Sequence, residues 1–111
     1  CALRVVASVV CVNDERHAII DAGSKTLTTD LCGRRAGYGY VAGRGDILIA
    51  KLNEEHGFIE SEQPLGYKIG DKIVIIPNHA CVVPNLADEI YGFREGKMER
   101  MIRIDARGKN R

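Results

Sequence analysis

No stretch of this chain longer than about ten residues repeats its apolar residues at helical spacing, and that constrains the fold more than any other feature. The apolar residues come instead in short runs separated by glycines or polar clusters. Ala2 to Val12 is almost entirely apolar and rich in valine, the composition of a strand covered on both faces. Asn13-Asp14-Glu15-Arg16 makes a turn, and His17 to Asp21 returns as a second strand, so the chain opens on a hairpin. Gly33, Gly37, Gly39, Gly43 and Gly45 then punctuate a segment without a helical period, as glycines do at bulges and barrel corners. Asp46 to Asn53, Phe58 to Ser61 and Ile73 to Ile76 read as further strands, with Gly70-Asp71 a hairpin-type turn before the last of them. From Glu89 to Ala106 the pattern predicts a closing hairpin that turns at Glu95-Gly96-Lys97. In its second arm Met98, Ile102, Ile104 and Ala106 share one face against Glu99, Arg103 and Asp105, a half-buried strand in which Arg100 and Met101 spoil the alternation. One short helix or turn is expected near Leu86 to Glu89. The expectation is a mostly β fold, a small antiparallel β-barrel or sandwich with little helix. At 111 residues the chain, 1–111, is expected to be a single domain with one modest core.

Composition narrows the function. The hydrophobic fraction of 45% and the charged fraction of 28% are ordinary for a globular chain. A net charge of +1 offers no field to gather a polyanion. Without Trp and with few other aromatics there is no stacking platform for single-stranded nucleic acid, so nucleic-acid binding is set aside. No apolar run approaches the ~20 residues of a membrane span. The four cysteines, Cys1, Cys11, Cys32 and Cys81, include no C-x-x-C pair and are too sparse for a disulfide framework, which points to a reducing, cytoplasmic setting. The chain starts without Met and runs directly into apolar residues, as a piece of something longer would.

The stretch richest in chemistry is Ile76-Pro77-Asn78-His79-Ala80-Cys81. Pro77 disfavours the helical region at Ile76 and holds the segment extended. In an extended chain residues two apart point the same way, so His79 and Cys81 would project together. Imidazole nitrogen and thiolate sulfur form a borderline-soft pair that suits zinc. Two protein ligands leave coordination positions open for water, substrate or groups from another domain. On pattern alone H-x-C stays ambiguous, because a small buried Cys beside an ordinary His reads the same way. Lys25, in a Gly-Ser-Lys turn, is either a solvated loop lysine or a cation facing an active-site mouth. His56, after Glu54 and Glu55, is either a strand-end histidine satisfied by its neighbours or an acid/base lining the site. Asp21 reads as a turn cap, and Asn78 as a partner for backbone near the metal loop.

Several blocks together resemble the D-serine dehydratase-like domain. They are DAGSKTLTTD (Asp21 to Asp30), EEHG (Glu54 to Gly57), LGYKIGDKIVIIPNHAC (Leu65 to Cys81) and IDARG (Ile104 to Gly108), in that family's order and spacing. The resemblance covers nearly the whole chain. It implies a C-terminal β-domain that accompanies an N-terminal barrel akin to that of alanine racemase. The barrel would hold pyridoxal phosphate and the Schiff-base lysine, so Lys25 is not assigned that role and no cofactor contacts are expected in this domain. The resemblance implies that the domain supplies metal ligands, which map to His79 and Cys81, with zinc shared across to the barrel. Members include D-serine dehydratases and D-threonine aldolases. The dehydratase pattern is H-x-C and the aldolases more often carry H-x-D, so Cys81 tilts the expectation toward cleavage of D-serine to pyruvate and ammonia. The full-length form is expected to be a homodimer acting on a small D-amino acid, and this chain alone to be inactive. Two other readings stand beside it. One is a non-catalytic, metal-binding β-barrel module. The other is a cysteine-nucleophile enzyme using Cys81 with His79 or His56, disfavoured because no oxyanion-hole loop is evident.

Overall fold

The computed structural model of the chain describes residues 1–33 and 36–109. Six strands close into an antiparallel barrel: β1 (Val5–Val12), β2 (His17–Ile20), β3 (Tyr40–Val41), β4 (Ile47–Leu52), β5 (Gly57–Ser61) and β6 (Lys72–Ile76). Around the barrel they run β1-β2-β5-β4-β3-β6, with β6 returning to β1. A four-residue helix α1 (Ser24–Leu27) follows β2, and a 3-10 turn covers Pro84–Leu86. Two further strands, β7 (Glu89–Arg94) and β8 (Lys97–Arg103), form a separate hairpin. The mostly β expectation holds, and of the two architectures anticipated the closed barrel is the one formed.

The barrel closes because its inward positions fill a narrow interior. Ala7, Val9, Ala18, Ile20, Val41, Ile47, Ile49, Ile59, Ile73 and Ile75 make the core. Small and large residues face each other across strand pairs, Ala7 opposite Ile73 and Ala18 opposite Ile59, so the side chains interdigitate. Leu27 of α1 and Leu65 of the connection before β6 join the same cluster. The inward positions are thus taken up by a continuous apolar cluster.

The opening strand differs from expectation. Only Ala7 and Val9 are buried, while Val6 is 65% exposed and Val10 and Val12 are exposed as well. A uniformly apolar run does not say which face will find a neighbour. The closing hairpin differs too, because none of β8 is buried. A register shift between Gly92 and Phe93 pairs Gly92 with Arg100 but Phe93 with Met98, which leaves Glu99 as a bulge. The bulge puts Met98 and Met101 on one face with Tyr91 and Phe93, instead of grouping Met98 with Ile102.

Alternating strand direction decides which connections meet. All neighbours in the barrel are antiparallel, so β2, β4 and β6 share one direction and their C-terminal ends share one rim. The segments that follow them, Asp21 to Gly39, Asn53 to His56 and Pro77 to Asp88, therefore gather at that rim. Lys25, His56, His79 and Cys81 all lie in these three segments.

Candidate functional site: one rim of the barrel

The first half of the rim is α1 docked on the β4–β5 turn. Ser24 N donates to Asn53 O at 2.8 Å and Lys25 N to Glu54 O at 3.1 Å. The docking requires Gly23, since a Cβ there would lie 2.5 Å from Asn53 O, Glu54 O and His56 N. The turn is closed by Asn53, whose Oδ1 accepts from Glu55 N at 3.0 Å and His56 N at 2.6 Å. Lys25 Nζ reaches Glu55 Oε1 at 2.7 Å and Glu54 Oε2 at 3.0 Å. Hydrogen bonding to Glu55, then Glu54, raises the pKa of Lys25 from its ordinary 10.5. That keeps it a protonated cation, bridged to the turn and not free in solvent. The same lysine holds Glu55 below its ordinary value. His56 is half-buried and contributes its backbone to the turn.

The second half is built on His79. At the end of α1 the chain reverses through Thr28, which has φ 65°, a strained conformation for a β-branched residue. Thr28 Oγ1 accepts from Asp30 N at 3.1 Å, and Asp30 Oδ1 accepts from Cys32 N at 2.8 Å. The other carboxylate oxygen, Oδ2, lies 2.6 Å from His79 Nδ1. Those bonds, His79 first and Cys32 next, hold the Asp30 carboxyl below the usual carboxylate value. An ionised carboxylate only accepts, so a hydrogen bond from His79 to ionised Asp30 requires the hydrogen on Nδ1. In the neutral ring Nε2 then carries the free lone pair, and among the described residues it has no partner. Asn78, beside His79, anchors its loop by donating from Nδ2 to Gly37 O at 2.9 Å, the backbone role anticipated for it. Asp21 does something other than cap a turn: its Oδ1 accepts from Ser8 N at 2.6 Å and extends the β1–β2 ladder.

Cys81 is exposed, and it lies in the turn that leads to Pro84–Leu86 and not on a strand. β6 ends at Ile76, so the extended-chain argument for a shared direction of His79 and Cys81 stops short of Cys81. Both groups are nonetheless accessible from solvent, with the His79 side chain 35% exposed. Imidazole nitrogen and thiol sulfur are donor types that a zinc ion takes. Among the described residues no group of three or more His, Cys, Asp or Glu is placed to hold an ion. None of the four cysteines is in a disulfide, and no helix among the described residues is long and apolar enough to cross a membrane. Sequence reasoning missed Asp30 as a partner of His79. The two are 49 residues apart with no shared spacing, and the only hint was that a recognised block ends at Asp30.

Comparison with known proteins gives a consistent set. The family model described as "Putative serine dehydratase domain" matches residues 2–93. An uncharacterised protein of Mycobacterium tuberculosis is 34% identical over 115 residues, which cover 98% of this chain and 86% of that protein. The 3-hydroxy-D-aspartate aldolase of Paracoccus denitrificans is 33% identical over 97% of this chain, a stretch that is only 26% of the aldolase. Among solved structures, D-threonine aldolase from Filomicrobium marinum superposes with a TM-score of 0.84 at 27% identity, covering 96% of this chain and 28% of the enzyme. D-threo-3-hydroxyaspartate dehydratase from Delftia sp. HT23 gives 0.77 at 25% identity, covering 93% and 32%. Variants of a D-threo-3-hydroxyaspartate dehydratase replace a histidine, or a cysteine two positions further on, by alanine, and the cysteine variant is described as the metal-free form.

Proposed function

This chain belongs to the serine dehydratase domain family of pyridoxal-phosphate enzymes, and from that premise we propose that it is the metal-holding part of a lyase acting on D-3-hydroxy amino acids. His79 and Cys81 hold the metal, with zinc the ion their donor atoms suit best. A companion barrel holds pyridoxal phosphate and completes the coordination shell, since two protein ligands leave a zinc site open. When bound, the metal supplies Lewis acidity toward the substrate's β-hydroxyl while the cofactor supplies an electron sink. This chain's own contribution is positional. Pro77 and Asn78 fix the loop that carries His79, and the ion-paired Lys25 ties α1 to the neighbouring turn. The enzymes it is similar to act on 3-hydroxy-D-aspartate and D-threonine, both D-amino acids with a hydroxyl on Cβ. The resemblance of His79-Ala80-Cys81 to the dehydratase H-x-C pattern tilts the reading toward dehydration, with D-serine the simplest such substrate and D-threonine aldolase-type cleavage the alternative, in a full-length enzyme that would be a cytoplasmic homodimer.

The observation that supports the reading is that His79, Cys81, Lys25 and His56 lie in the three connections at one rim of the barrel. The test is made in the full-length protein with Cys81→Ala and His79→Ala. Each is expected to abolish metal-dependent turnover of D-3-hydroxy amino acids and to leave the absorbance of bound pyridoxal phosphate unchanged. Wild-type turnover in either variant would refute the assignment. A second reading, a metal-binding module without catalysis, draws support from the mycobacterial relative, of which this chain spans 86%. It predicts metal uptake through the same two residues and no turnover in the full-length protein.

A further inference from the structure

We propose that Asp30 is a positioning residue that orients His79 and fixes its ring hydrogen on Nδ1, which would leave Nε2 free to ligate a metal. The inference rests on the reading of His79 as a ligand and extends it to a residue outside the ligand pair. The geometry is specific. One carboxylate oxygen of Asp30 is engaged by Cys32 N at 2.8 Å, and the other meets His79 Nδ1 at 2.6 Å. The carboxylate is thereby held from both sides, and Thr28 fixes the backbone that carries it. Asp30 belongs to the segment after β2 and His79 to the segment after β6, so the pair also ties two of the three rim connections together. A metal-ligating histidine commonly donates its second ring hydrogen to a carboxylate, which selects the tautomer and limits ring rotation. Without that acceptor the ring divides between tautomers, and the tautomer with hydrogen on Nε2 cannot ligate through that atom. In Asp30→Asn the amide can also donate to Nδ1, which favours the wrong tautomer.

Two measurements, the first on this chain and the second on the full-length protein, decide the matter. Ring nitrogen–hydrogen correlation NMR of the metal-free protein is expected to show the His79 hydrogen on Nδ1 in the wild type, and on Nε2 or divided between the nitrogens in Asp30→Asn. A merely structural role would leave that signature unmoved. Cobalt(II) titration, followed through the thiolate charge-transfer band, is expected to show affinity about 10–100-fold weaker in Asp30→Asn than in the wild type. His79→Ala is expected to lose the site altogether. If His79→Ala loses cobalt but Asp30→Asn binds it as the wild type does, or if the tautomer is unchanged, the role of Asp30 is overturned while the ligand reading stands. If the wild type takes up no cobalt, or His79→Ala binds it normally, the ligand reading falls and this inference falls with it.

Discussion

The barrel and the β7–β8 hairpin use the same backbone pairing and obtain very different things from it. In the barrel each strand has two neighbours and one face turned onto a shared core. In the hairpin β7 and β8 have only each other, and Tyr91, Phe93, Met98 and Met101 stand between 52% and 66% exposed on one face. Ladder hydrogen bonds contribute little net stability, because the unfolded chain bonds to water instead, whereas burial of apolar surface is the larger favourable contribution. An isolated two-stranded ribbon is marginal in water for that reason. Stability in this molecule should therefore be concentrated in the barrel, with its rim chemistry on the stable side of the divide.

Truncation in the two regions gives the largest expected contrast. Ile49 is 0% exposed, and Ile49→Ala is expected to lower the unfolding free energy by about 2–5 kcal/mol. Phe93 is 66% exposed, and Phe93→Ala is expected to change it by less than about 0.5 kcal/mol. Urea unfolding of both variants measures the difference, and comparable losses would mean that the hairpin face is covered and the contrast false.

The same glycine substitution makes a smaller but sharper comparison. Gly23→Ala would force a methyl to within 2.5 Å of three backbone atoms of the β4–β5 turn, at a cost of about 1–3 kcal/mol. In the hairpin, a methyl at Gly92 meets Arg100 Cγ at 3.5 Å, an ordinary contact, so Gly92→Ala should shift stability by less than about 0.5 kcal/mol. Equal urea midpoints for the two variants would show that α1 does not need its close seat on the turn.

Acid titration gives the smallest effect. On the opposite rim Asp46 accepts from Arg44 Nε and Nη2, both at 2.9 Å, and from Ser61 Oγ, with Arg44 the leading cause of its lowered pKa. Because the folded value lies below the ordinary 3.8, the contribution is complete above that pH and is lost as pH falls below it. Asp46→Asn should flatten this part of the stability–pH curve. Glu99→Gln, which removes the exposed Arg94–Glu99 pair of the hairpin, should change stability at neutral pH by less than about 0.5 kcal/mol. An equal response from both variants would remove electrostatics from the comparison.

Much of the candidate site was legible from spacing and from the recognised blocks. His79 and Cys81 stand in a motif, and Lys25 and His56 in blocks that resemble a family. Their meeting on one rim was not legible, because it depends on strand direction around a closed barrel. Nor was the hold of Glu54 and Glu55 on Lys25, since the lysine and the acids are brought together only when α1 seats on the turn.

The sequence by itself determined the β class, the positions of every described strand but β3 to within a few residues, and the side-chain types available at the rim. Period-two alternation and glycine or polar breaks are local properties, readable wherever they occur. Tertiary structure alone decided the rest. It closed the sheet, used a two-residue strand at Tyr40–Val41 too short to show a period, and shifted the Met98 face by one bulged residue. It left the outer valines of β1 uncovered, because burial belongs to a pair of surfaces and not to a run of residues. It also brought Asp30 to His79, a contact made by two loops that meet only when the strands beneath them are paired.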